Sequence, residues 1–234
     1  MGTKWVPSGP HGHRQEGQVT TAIGGTGTTG EPVDISFTYG EPINRLWGIP
    51  IVGFVVRAIL LIPHFIVLWL FGIAAGFTLL VSWIPVLVTG RQASWVMSVL
   101  GGYLAWTARV GAYLLLVSAG YPPFSATGPY SVMAQFEPNP QINRLWGIPL
   151  LGIAVRVLLC IPHYIALFIL GIVAVVLFYF TWLPVLVMGR QATPVIDLLG
   201  GYWRWGLRVS AYVLLLTDRY PPFSLQHMAA SSVA

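Results

Sequence analysis

Charge is scarce in this chain. Asp, Glu, Lys and Arg together make up 8% of its 234 residues, against about 25% in an ordinary globular domain. With 56% of the residues apolar, too few charges remain to cover a water-facing surface. A bilayer removes that requirement, because it favours apolar surface turned outward. Acids are scarcer than bases, seven against twelve, which leaves a net charge of +5. The basic residues are spread thinly, many beside or inside apolar runs, and form no solvated basic stripe. This argues against a nucleic-acid partner and for anionic lipid headgroups as the counter-charge.

Cysteine is nearly absent too. Cys160 stands alone, so an intrachain disulfide and a cysteine metal cluster are both excluded. Residues 1–42 hold no apolar core of signal-peptide length, so the first hydrophobic segments are expected to act as insertion signals themselves. Enzyme signatures are missing as well: no HExxH, no phosphate loop, no dinucleotide fingerprint. The stretch "GGTGTTG" at 24–30 lacks the following Gly-Lys-Ser/Thr. We expect no enzyme activity, no cofactor and no metal.

What is present is a duplication. "INRLWGIP" stands at 43–50 and again at 142–149. The offset of 99 residues from Asn44 to Asn143 also aligns Arg57 with Arg156, His64 with His163, Arg91 with Arg190, Arg109 with Arg208, and both "YPPFS" blocks, without a gap. The reading is a Gly/Thr/Pro-rich mobile tail at 1–42, repeat 1 at 43–125, a linker at 126–141, repeat 2 at 142–225 and a tail at 226–234.

Each repeat reads as membrane helices. Residues 65–88 carry no charge, and at 1.5 Å per residue such a run reaches about 36 Å, enough to cross a bilayer with tilt. Residues 94–118 form a second candidate span, ended by "YPPF"; the copies lie near 164–188 and 194–217. Two readings stay open for 43–62 and 142–161, an interfacial helix or a further span, and their length and flanking charge favour the interface. The expected fold is therefore an all-α integral membrane protein with four spans. Its two parallel repeats would be related by an axis along the membrane normal. Lys4, Arg14, Arg45, Arg57, Arg144, Arg156 and Arg219 fall on the side of the termini, and only Arg91 and Arg190 at the hairpin tips, which places both termini in the cytoplasm.

The blocks "NRLWGIP", "IPHF"/"IPHY", "GR" and "RWGLRVSAYVLLLTDRYPPFSL" carry a resemblance. The chain resembles a bacterial family of uncharacterised membrane proteins, a domain of unknown function that often occurs as tandem copies. The likeness covers most of 43–225. It departs at Gln92-Ala93 and Gln191-Ala192, where such proteins carry an aromatic–proline pair. The resemblance implies a multi-pass protein of the bacterial cytoplasmic membrane and transfers no catalytic residue.

The residues that invite a functional reading are charges at membrane depth. Arg109, Arg204 and Arg208 lie inside predicted spans with Asp197 as the one acid there, and a central arginine costs several kcal/mol in lipid. One hypothesis is a shared crevice holding an anionic lipid or other phosphate- or carboxylate-bearing ligand. The plainer alternative is snorkelling to the interface. Arg45, Trp47, Arg57 and His64, with their mates Arg144, Trp146, Arg156 and His163, read as interface anchors. The expected role is a non-enzymatic accessory or scaffold module that binds lipid, a membrane-protein partner or its own copy. The alternative is a small transporter or channel with a pathway between the repeats.

Overall fold

The computed structural model describes residues 32–226; most of the expected N-terminal tail and nearly all of the C-terminal one lie outside them. The first element is a strand, β1 (Val33–Phe37), and its partner is β2 (Val132–Phe136), inside the segment expected as a linker. They pair antiparallel, Val33 with Phe136, Ile35 with Ala134 and Phe37 with Val132. The 99-residue offset carries Val33 onto Val132 and Phe37 onto Phe136, so the pairing maps onto its own reverse. A two-fold axis therefore passes through the Ile35–Ala134 pair, and the structural repeat begins at the strands. On β1 Ser36 is exposed between buried Ile35 and Phe37, and Asp34 is buried along with Val33.

The repeated octet folds as a 3₁₀ turn, Arg45–Gly48 in one copy and Arg144–Gly147 in the other. Asn44 Oδ1 accepts the Leu46 N–H at 3.0 Å, and Asn143 Oδ1 accepts the Leu145 N–H at 3.0 Å. Each turn docks on the opposite repeat. A Cβ on Gly48 would stand 2.6 Å from the backbone N of Leu186, and one on Gly147 closer still to that of Leu87. Only glycine allows backbone to meet backbone there. Ile43 N–H donates to Gly189 O at 2.8 Å and Ile142 N–H to Gly90 O at 2.9 Å. The octets are thus the clasp by which the repeats hold one another.

Helices follow in the same order in each copy. Repeat 1 has α1 (Val52–Leu60), α2 (Ile62–Val81) and α3 (Trp83–Thr89), then α4 (Ser94–Val96), a π turn at Met97–Gly101 and α5 (Gly102–Leu114). Repeat 2 has α6 (Leu151–Leu159), α7 (Ile161–Phe178), α8 (Trp182–Met188) and one unbroken α9 (Thr193–Val213). The breaks before α3 and α8 follow from Pro85 and Pro184, which offer no N–H to the carbonyl four residues back. Gly90 and Gly189 end α3 and α8 in the left-handed conformation, at φ 71° and 67°, which glycine adopts without penalty. The nine-residue α1 and α6 reach about 13 Å each, too short to cross a bilayer.

Two expectations are corrected by this architecture. Gln92 Nε2 at the start of one long helix donates to Leu215 O at the end of the other (3.0 Å), and Gln191 Nε2 donates to Leu116 O (3.4 Å). The helices 94–114 and 193–213 therefore run antiparallel. His64 of α2 meets Trp106, and Phe71 meets Tyr103, so α2 runs against α5, as α7 does against α9. The axis lies across the helices, not along them as expected for parallel repeats. Nor are there four candidate spans. Among the described residues two helices are long and apolar enough to cross a membrane, Ile62–Thr89 and Ile161–Met188, with mean hydropathy 2.3 and 2.6. The helices at 94–114 and 193–213 hold the arginines and form the buried middle of the molecule: Val96, Leu100, Ala108, Ile196, Leu199 and Ala211 pack there with Ile35 and Val132 of the ribbon.

Candidate functional site

Arg109 is 3% exposed. It lies on the side of α5 toward β2, where a turn of chain closes over it. Its Nε donates to Val132 O at 3.3 Å, Nη1 to Ser125 O and Thr127 O at 3.0 Å each, and Nη2 to Gly128 O at 2.8 Å. The rigid guanidinium fork suits such a set of converging carbonyls better than a lysine would. Arg208 repeats the arrangement, with Ser224 O at 3.5 Å and Gln226 O at 3.3 Å. These arginines are turned inward onto backbone carbonyls rather than snorkelling outward.

Repeat 2 adds Arg204, whose Nε donates to Ile35 O at 3.0 Å and Nη1 to Leu225 O at 2.7 Å. The acid that meets it is Asp34 on β1, whose Oδ1 lies 3.4 Å from Arg204 Nε and 3.5 Å from Arg208 Nη2. Asp197 is exposed on α9 and accepts the Tyr39 hydroxyl at 2.8 Å. The structure thus gathers Arg204 and Arg208 around Asp34 and keeps Arg109 in the other repeat, on its own loop.

The expected interface anchors Arg57 and Arg156 are fully buried. Arg57 lies between the rings of Trp47 and Tyr113, its Cζ 5.0 and 4.3 Å from their centroids; Arg156 lies between Trp146 and Tyr212 at 4.9 and 4.3 Å. Such cation–π contacts strengthen once water is excluded. Arg57 Nη1 donates to Tyr113 O and to Ser118 O, bridging the end of α5. Burial lowers the Arg57 pKa to about 10, so it stays charged at neutral pH. Arg156 makes the corresponding bonds and adds Asp218, whose Oδ1 accepts from Nη2 at 2.7 Å. Repeat 1 has Ala119 where Asp218 stands. Trp47 and Trp146 serve these arginines as stacking partners, while Arg45 and Arg144 are exposed.

His64 and His163, also expected at the interface, are buried. Each Nδ1 accepts an indole N–H, from Trp106 at 3.1 Å and from Trp205 at 3.0 Å. That bond sets a neutral ring with its proton on Nε2. The rings stack on Phe124 and Phe223 at 3.9 and 3.8 Å between centroids. Tyr121 and Tyr220 donate to Leu60 O and Leu159 O. The "IPH" and "YPPF" blocks are therefore two halves of one latch.

Among the described residues no cluster of His, Cys, Asp or Glu could hold a metal. An open cleft of about 330 Å³ has Arg91, Glu137, Asn139, Asp218 and Arg219 on its walls. It brings both signs of charge together, and Asp218 is already engaged by Arg156 and by the Asn143 N–H.

No curated protein and no solved structure matches the chain. One family model does, twice, over residues 52–126 and 151–224, the two copies that hold the latch and the buried arginines, each beginning just after an octet. The chain belongs to that family, described as "Domain of unknown function (DUF4389)", and carries it as an internal repeat.

Proposed function

We propose that the protein is a non-enzymatic membrane module. It would sit in the bacterial cytoplasmic membrane with both termini in the cytoplasm, binding lipids with anionic headgroups and offering a scaffold to a membrane-protein partner or a second copy. One observation carries the reading. The two 28-residue apolar helices have only 17% and 11% of their most apolar windows buried inside the protein. The core helix of a water-soluble domain is as apolar but mostly buried; these two helices are mostly exposed. Phe65, Ile66, Trp69, Leu70, Ile73 and Phe77 of α2 all face outward, a patch that in water would drive aggregation.

The same geometry supports a scaffold over a transporter. Where the repeats meet, the Trp203 ring fills the space in front of Gly111, and the arginines that would line a pathway face carbonyls. The test is extraction. Membranes from cells expressing the chain are washed with alkaline carbonate and then with urea. Retention in the pellet until detergent is added supports the reading; release into the wash overturns it. Solute flux in liposomes that Arg109→Met abolishes would favour the transporter instead.

A further inference from the structure

We propose that the protein is embedded in one leaflet, entering from a single face, with its dyad along the membrane normal. The inference rests on the membrane reading and goes beyond it, because the same two helices could otherwise cross the bilayer in opposite senses.

The dyad decides between the two modes. It runs across α2 and α7, which point in opposite directions. If these helices crossed the bilayer, the dyad would lie in the membrane plane at mid-depth. The Ile35–Ala134 pair, through which the dyad passes, would then lie at mid-depth too. Among the described residues the ribbon has two strands, and its exposed residues next to the dyad include Ser36 and Gln135. An exposed amide such as that of Gln135 would lose its water partners in hydrocarbon and find no replacement there. With the dyad along the normal, the ribbon instead faces water on the side away from the apolar helices.

The apolar frame fits a single leaflet. Phe54 of α1 meets Phe178 at the end of α7, and Ile153 of α6 and Trp83 at the start of α3 pack against the same cluster of Val86, Ile142 and Leu215. The short helices therefore bridge the long ones at both ends. From 58 to 90 and from 157 to 189 no residue is charged. Lying flat, helices about 10 Å across fit the roughly 15 Å of hydrocarbon in one leaflet. Arg57 and Arg156 of the short helices are buried, and exposed charge appears at the corners. Arg144 lies against the Gly90–Arg91 turn and Arg45 against the Gly189–Arg190 turn, and all four arginines are exposed. Each corner sets two guanidinium groups beside the rim of the apolar face, where one leaflet's anionic headgroups lie.

The test uses repeat mates. Pro42→Cys and Gln141→Cys occupy equivalent exposed positions at opposite ends of the frame, and Ser36→Cys marks the ribbon. All are made with Cys160→Ser in the full chain. Intact spheroplasts and inverted vesicles are treated with a membrane-impermeant maleimide, after carbonate washing has shown that each variant stays in the membrane. Labelling of all three from the same face is the expected result. Labelling of 42 and 141 from opposite faces, or a Ser36→Cys thiol shielded from both, overturns one-leaflet insertion while leaving the membrane reading intact. Loss of the variants in the wash is failure of that earlier reading.

Discussion

Replacing Arg109 by methionine separates a brace from a ligand site. The side chain keeps its apolar length and loses four donated bonds, to Ser125, Thr127, Gly128 and Val132. A bond from a charged donor contributes about 1.5–3 kcal/mol, but four bonds from one group do not add, and the loop carbonyls that are partly buried can recover water. Each buried carbonyl left without its donor costs about 1–3 kcal/mol, so about 3–5 kcal/mol is the expected loss for the set. For a chain of this size it lowers the melting temperature by about 6–20 °C. Arg109→Lys recovers only part of it, since a point charge reaches fewer carbonyls than the planar fork. The assay is thermal unfolding in mild detergent, with lipid co-purifying with each variant measured in parallel. The brace predicts a large fall in stability, a loop at 125–131 newly open to protease, and unchanged lipid per protein. A variant as stable as the parent, within about 1 kcal/mol, that had shed its anionic lipid would refute the reasoning and restore the ligand hypothesis.

Other consequences are local. Gly48→Ala and Gly147→Ala force a methyl onto backbone of the opposite repeat and should each cost about 2–3 kcal/mol, whereas Gly76→Ala, with open space in front of it, should gain about 0.5–1 kcal/mol; detergent melts compare the three. Asp218→Ala makes repeat 2 resemble repeat 1 at Ala119 and should cost about 1–3 kcal/mol, toward the low end because the carboxylate is a third exposed; denaturant titration in detergent reads it. Tyr130 donates to Gly120 O at 2.7 Å, and burial pushes its phenol up to about 12 from the usual 10. A raised folded pKa gives stability that is complete below about pH 10 and is lost as pH rises through about 12. The fall in melting temperature across that window should therefore be smaller in Tyr130→Phe than in the parent.

The duplication, its offset and the two apolar runs were legible because each is written in adjacent letters. The dyad's direction was not, since a tandem repeat reads alike whether its copies run parallel or opposed. β1 was hidden because five residues in a Gly- and Pro-rich context bury their inward face only through a partner in the next repeat. Asp34 could not be recognised as the acid at Arg204 and Arg208, because the ribbon alone brings them together. The arginine brackets were harder still: carbonyl acceptors belong to every residue, so nothing in the letters marks Ser125, Thr127 and Gly128 as partners of Arg109. The histidines had a readable signal, the same 42-residue spacing to a tryptophan in both copies, from His64 to Trp106 and from His163 to Trp205. The apolar length of 94–118 suggested a span because burial in protein and burial in lipid select the same residues.

The central claim is that the outward faces of α2 and α7 are solvated by acyl chains. Spin labels at Trp69 and its repeat mate Phe168, both exposed, test it in reconstituted bilayers through collision with oxygen, which concentrates in hydrocarbon, and with a nickel chelate, which stays in water. Strong oxygen and weak chelate collision at matching depth for both labels is the predicted result. Ready access of the chelate to either label would contradict it.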